Sequence, residues 1–197
     1  MLTQIVILSL VGGLLCLDRI FLQAMLSRPI VIAPVAGFLL GDSYTGLIIG
    51  AIFELFWIDR APIGIYIPPN DSVASAFAAA LAILAGQSLG AVTKELMALS
   101  VLLAVPFGIL AKRMDVRMMA ANDRLSDRAL EEAKSLNFRA IENMTYLALG
   151  RAFVLYAAML LVLPAIFVPT VIRLYPKLPA PIGDALTLTY YFLPVLG

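Results

Sequence analysis

The chain has 197 residues, of which 62% are hydrophobic and 14% charged, and its net charge is +1. Soluble domains carry about 25% charged residues, so the composition excludes a water-soluble globule and defines an integral membrane protein; the charge balance gives no nucleic-acid signal. No histidine is present and the only cysteine is Cys16, which removes His-based triads, His-ligated metals, phosphohistidine and internal disulfides. Neither a cofactor nor a metal is expected, and no nucleophile–base pair points to an enzyme.

Apolar segments fall at about 3–17, 29–58, 72–93, 96–111, 146–172 and 182–196. A helix needs roughly 20 residues to span the hydrocarbon core. Segments 72–93 and 146–172 reach that length. Segments 3–17 and 96–111 are short and predict half-spans or re-entrant hairpins. Residues 3–17 have neither a basic start nor a small-residue exit, so they read as a retained first membrane segment. Within 29–58, Gly41-Asp42 predicts a turn that divides the run in two, with Asp42 as a turn or helix cap. Gly46 and Gly50 form a small-xxx-small pattern suited to close helix packing.

The following stretch interrupts the membrane pattern. Glu54, Asp59, Arg60 and Asp71 bring charge into it, and Pro62, Pro68 and Pro69 prevent a continuous helix. Charge at membrane depth costs at least a few kcal/mol per group. Broken backbone at that depth survives only where protein buries it or it lines a watery cavity. The two together point to a transport site; the alternative is that 59–71 is an aqueous loop between two spans.

Lys94-Glu95 separates the next two segments with almost no loop and predicts a tight hairpin. Eight of the 14 basic and six of the 13 acidic residues lie between Lys112 and Arg151. Leu125, Ala129, Leu130, Ala133, Leu136 and Ala140 recur at near-helical spacing, so 112–145 reads as an amphipathic helical region at the membrane surface or projecting from it. Lys112, Arg113 and Arg117 flank the end of a membrane segment and place this region on the cytoplasmic side. Pro164 and Pro169 predict a kink in 152–172, Tyr175–Pro181 a loop, and 182–197 a short terminal apolar element. The fold class is therefore an all-α integral membrane protein: one multi-span membrane domain over 1–197, with broken or re-entrant helices and a charged cytoplasmic helical segment.

Several passages resemble the IIC permease subunit of the mannose/fructose/sorbose family of the bacterial phosphotransferase system (PTS). They are Leu17-Asp18-Arg19 with Ser27-Arg28-Pro29, then Gly41-Asp42 with Thr45-Gly46-Leu47-Ile48-Ile49-Gly50 and Glu54, then Ile63-Gly64 with Pro69 and Ala74-Ser75. Order and spacing, rather than any one motif, carry the likeness. It implies a hexose or amino-sugar permease in the bacterial cytoplasmic (inner) membrane. It also implies a IID-type membrane subunit as partner, assembly as an oligomer in the lipid bilayer, and cytoplasmic IIA and IIB phosphocarriers, with IIB phosphorylating the sugar. The chain departs from the family pattern at Asp59, Arg60, Pro62 and Asn70.

A sugar site needs fixed hydrogen-bonding groups and an apolar wall. Glu54, Asn70 and Asp71 can accept hydroxyl hydrogen bonds, and Asn70 can also donate. Trp57 and Tyr66, with Phe56, can supply rings for the sugar's C–H face. Glu54 is the carboxylate deepest in apolar sequence and is either a site residue or a structural partner of Arg28 or Arg60. Two other functions stay open on the residues alone: a non-transporting scaffold or sensor that kept the fold, and an unrelated transporter using Glu54 or Asp71 as a proton site.

Overall fold

The computed structural model describes residues 1–59 and 67–195, and all regular structure among them is helical. The α-helices are α1 (Leu2–Leu17), α2 (Pro29–Leu40), α3 (Ser43–Phe56), α4 (Asp71–Leu89), α5 (Lys94–Lys134), α6 (Phe138–Leu174) and α7 (Ala180–Phe192), with single 3-10 turns at Tyr175–Lys177 and Leu193–Val195. α4, α5 and α6 are long and apolar enough to cross a membrane.

α4 forms the centre. Every residue from Ser72 to Gly86 is buried, and 83% of its apolar window is buried, against 44% for α5. Its sequence explains this placement. Alanine and serine dominate, so α1, α2, α3, α5 and α6 can all reach it. Phe77 fills the gap that small residues leave on one side: its ring meets Phe107 of α5 and Phe167 of α6 edge-on, with centroids 5.6 and 5.7 Å away.

α2 and α3 have 12 and 14 residues, which gives them lengths of about 18 and 21 Å. Neither crosses a core about 30 Å thick. They pair instead as a hairpin laid along α4, as the turn at Gly41-Asp42 predicts. Gly41 adopts a left-handed φ of 89°, and the Asp42 carboxylate accepts the Thr45 N–H at 3.0 Å, capping α3. The glycine pattern works as close backbone approach: a Cβ on Gly50 would lie 2.5 Å from the Pro29 carbonyl oxygen, and one on Gly46 would strike the Ala33 carbonyl. α1 lies along α6 by the same means, with Gly13 against Ala157.

The short element expected at 96–111 is corrected. α5 runs unbroken for 41 residues, from the Thr93 cap through Pro106 and Lys112 to Lys134. Charge ends the apolar run but does not end the helix, because Lys112–Lys134 remains rich in good helix formers. At about 62 Å α5 is twice the thickness of the hydrocarbon core. Residues 112–145 are consequently not one separate helix. They are the outer half of α5, a turn at Ser135–Asn137, and the start of α6, forming a helical hairpin. α6 continues through Pro164 and Pro169. The tight turn before Lys94 is present: Gly90 is left-handed and the Thr93 hydroxyl accepts the Leu96 N–H at 3.2 Å.

The hairpin packing gives a direct test. Gly46→Val should lower stability by about 1–3 kcal/mol, the usual range for overpacking, and lower the folded yield in detergent. Gly150→Ala, with nothing within 4 Å of the added Cβ, should be neutral or stabilise by about 0.5–1 kcal/mol. Thermal melts of the two purified variants against the wild type provide the comparison.

Candidate functional site

The antiparallel run of α4 and α5 sets the N-terminus of α4 beside residues 108–115 of α5, and the loop 18–28 closes over the same place. Polar and charged groups collect there and nearly all find partners. Asn70 is fully buried. Its backbone N–H donates to the Gly108 carbonyl at 3.0 Å, and its side-chain oxygen caps α4 by accepting the Val73 N–H at 3.0 Å. Its side-chain Nδ2 donates to Asp115 Oδ2 at 2.9 Å. The Asn70 amide is thus held as both cap and clamp. Gly108 makes the approach possible: a Cβ there would sit 2.9 Å from the Trp57 ring and 3.2 Å from the Asn70 carbonyl oxygen.

Asp71 faces the other way. Arg19 Nη1 donates to Asp71 Oδ1 at 2.6 Å and Nη2 donates to the Pro69 carbonyl at 3.3 Å. Both side chains are about a quarter exposed, 22% and 26%, so the pair retains contact with solvent. Ser72 adds a bond from its hydroxyl to the Ser27 carbonyl at 2.5 Å, tying α4 to the loop before α2. That loop is organised by Asp18, only 2% exposed. Its carboxylate accepts the Ala24 N–H at 2.7 Å, the Ser27 N–H at 3.2 Å and the Ser27 hydroxyl at 3.3 Å. Burial pushes the Asp18 pKa up, but the N–H groups of Ala24, Ser27 and Leu26 outweigh it and hold the carboxyl below its ordinary value.

Glu54 lies on the last turns of α3. Arg28 Nη2 stands 2.5 Å from its Oε1, and the Ile30 N–H reaches Oε2 at 3.4 Å. Of the two cations expected to serve it, Arg28 does so; Arg60 lies outside the described residues. Trp57 is 8% exposed. It packs against Phe53 and Phe56, with ring centroids 5.3 and 5.5 Å away, and its ring is a wall of the core. The structure therefore brings Trp57, Asn70 and Asp71 to one junction, and sets Glu54 across the 18–28 loop from it. Tyr66 lies outside the described residues.

Asp115 and Tyr156 belong to the junction without having been singled out from sequence. Asp115 is 3% exposed and Tyr156 1%. Tyr156 neighbours the carboxylate, and Asp115 Oδ1 has no hydrogen-bond partner. In sequence Asp115 is one of many charges after Lys112. A sign was available: it is an acid one turn after the apolar run, when its neighbours in that run are basic. No cluster of three or more potential metal ligands occurs among the described residues.

An all-helical membrane protein with a charged junction at a break between membrane helices is the class that this geometry defines. The sequence model of one family, described as the sorbose-specific IIC component of the PTS, matches residues 2–197, and the chain belongs to that family. It is 32% identical over 108 residues to the putative N-acetylgalactosamine permease IIC component 2 of Escherichia coli (strain K12), covering 55% of this chain and 75% of the relative. It is 27% identical over 141 residues to the fructose permease IIC component of Bacillus subtilis (strain 168), covering 72% and 49%. The match to the mannose-specific EIIC component of Escherichia coli (strain K12) is 28% over 131 residues, covering 63% and 46%. The chain thus spans about half the length of the fructose and mannose relatives. Its fold is that of a chain in the solved complex of the mannose transporter ManYZ with microcin E492, at a TM-score of 0.73, 21% identity and coverage of 100% and 77%.

The Arg19–Asp71 pair should behave as a unit. Arg19→Gln and Asp71→Asn are each expected to cost about 1–2 kcal/mol, less than for a fully buried pair. The double variant should cost less than the sum of the two. Additive losses in a thermal double-mutant cycle would show that the two residues act independently.

Proposed function

We propose that this chain is the membrane permease (IIC) subunit of a phosphoenolpyruvate-dependent PTS, moving a hexose or amino sugar across the bacterial cytoplasmic membrane. Family membership over residues 2–197 carries the reading. The names of the relatives support a sugar of this class: N-acetylgalactosamine, fructose and mannose. In this reading the chain pairs with a IID-type subunit, and phosphoryl transfer belongs to cytoplasmic IIA and IIB proteins. The histidine-free sequence is in keeping with that division of labour. The α5–α6 hairpin faces the cytoplasm, following Lys112, Arg113 and Arg117, so the charged junction opens toward the side on which phosphorylation takes place.

Of the residues that the sequence offered for sugar contact, this proposal assigns contact to Glu54 and Asp71, whose carboxylates keep partial exposure; Asn70 and Trp57 lie buried behind them, and Tyr66 lies outside the described residues. Glu54 and Asp71 already hold their negative charge in place through Arg28 and Arg19. A sugar hydroxyl can share either carboxylate, since each has a second oxygen and free lone pairs. Asn70 and Trp57 shape the floor of the site from within, held as they are by Asp115 and Gly108.

Uptake in cells that express this chain with and without a IID-type subunit tests the whole reading. Uptake is expected only with the partner. Equal uptake without it would refute the partner requirement, and none in either case would favour a scaffold. With the partner present, Glu54→Gln should weaken sugar binding about tenfold to a hundredfold, as loss of a charged hydrogen bond worth roughly 1.5–3 kcal/mol requires. A reduced folded yield with unchanged affinity would instead assign Glu54 to the Arg28 pair alone. Sidedness has its own check. A cysteine at Asn122 should resist impermeant thiol reagents in intact cells and react in inverted vesicles; reaction in intact cells would reverse the orientation.

A further inference from the structure

The α5–α6 hairpin carries a cleft that the permease reading does not use. Arg124 and Arg128 of α5 and Arg151 of α6 line it together with Ala120, Ala121 and Leu125, and it encloses about 520 Å³. Arg151 donates to the Ala121 carbonyl at 3.3 Å and to Asn122 Oδ1 at 3.2 Å, both neutral acceptors. Arg124 and Arg128 make no hydrogen bond or ion pair with any described residue; the Arg19–Asp71 and Arg28–Glu54 pairs lie elsewhere. Asp123, Asp127 and Glu131 stand nearby on α5 without closing an ion pair on the cleft. Three guanidinium groups thus converge with no carboxylate between them. Two of them are also four residues apart on one helix, a spacing at which like charges destabilise.

An anion with several acceptor oxygens would resolve this. Guanidinium groups bind phosphate through paired, charge-assisted hydrogen bonds. The depth of the cleft indicates where such a phosphate comes from. The run 152–172 of α6 carries no charged residue, and its length of about 31 Å matches the hydrocarbon core. Arg151 is the residue immediately before it, which puts the α6 side of the cleft at headgroup level, with Arg124 and Arg128 on the aqueous side of it. Val154, three residues after Arg151 on the same helix face, is 63% exposed and offers an apolar surface for acyl chains. Basic pockets between membrane helices at this depth bind lipid head groups.

We propose that Arg124, Arg128 and Arg151 form a binding site for a phosphate group, supplied by an anionic phospholipid. The site does not depend on sugar transport and is tested without it. The full chain is placed in phosphatidylcholine nanodiscs with or without phosphatidylglycerol, and in a second arm in phosphatidylcholine discs with inorganic phosphate. Phosphatidylglycerol should raise the melting temperature of the wild type and fail to raise that of the Arg124→Gln/Arg128→Gln variant. Native mass spectrometry should show phosphatidylglycerol binding about tenfold weaker in the variant. Without anionic lipid this variant should melt no lower than the wild type, because it removes unpartnered like charges. Lys134→Gln/Arg139→Gln, with the same change in net charge, should keep the response. Should the glutamine variant fail to fold, Arg124→Lys/Arg128→Lys keeps the charge and is still expected to bind more weakly. Equal responses in wild type and Arg124/Arg128 variants would overturn the site. An arginine-dependent response to inorganic phosphate but not to phosphatidylglycerol would overturn the lipid as its source.

Discussion

The central helix has no face free for anything but protein. α4 is buried from Ser72 to Gly86, so its side chains must be small and its polar groups must be satisfied within the helix or by immediate neighbours. Alanine meets the first demand. Ser75 meets the second by returning its hydroxyl to the Ser72 carbonyl at 3.2 Å. The place where this solution stops working is the helix N-terminus, where backbone N–H groups have no partner within the helix. Asn70, Asp71 and Ser72 gather there for that reason, and they draw Arg19, Ser27 and Asp115 with them. Capping chemistry and the concentration of charge at this junction are one phenomenon.

The junction is also a crossing of five chain segments. Asn70 ties the α4 cap to α5 through Gly108 and Asp115, Arg19 ties the end of α1 to Asp71, and Ser72 ties α4 to Ser27. Glu54 and Arg28 add the ends of α3 and α2. The hairpin of α2 and α3 therefore begins and ends at this junction, while its turn reaches to the opposite end of α4, where Gln87 donates to the Leu40 carbonyl at 2.6 Å. Substituting one junction residue disturbs elements distant from it in sequence, so effects on folding and on ligand affinity have to be measured separately.

Much of this was legible in the residues. Gly41-Asp42 announced a turn because a left-handed residue and a cap are local requirements. The prolines at 68 and 69 announced a break for an equally local reason, and Gly46 and Gly50 announced close packing. What stayed hidden depends on distance along the chain. Asn70 and Asp115 meet across 45 residues, and nothing in the local pattern of either names the other. Trp57 read as an available ring because an aromatic beside a charged stretch looks exposed; Gly108, far along the chain, is what lets it bury. The length of α5 was misjudged for a different reason. Hydropathy reports where a helix leaves the apolar phase, whereas helix propensity decides where it ends, and at Lys112 these two limits separate.

That separation has a mechanical consequence. α5 is a single rod from Lys94 to Lys134, anchored at its start where Glu95 accepts from Thr187 at 2.6 Å and held midway by Asn70 at Gly108 and Asp115. The outer 19 residues beyond Asp115 form an arm of about 28 Å. If the rod pivots at that midpoint, a tilt of roughly 5° carries the tip through about 2.5 Å while the Asp115 end hardly moves. Large excursions at the hairpin thus correspond to small ones at the junction, and the leverage works in both directions: force applied at the tip arrives at Asn70 multiplied.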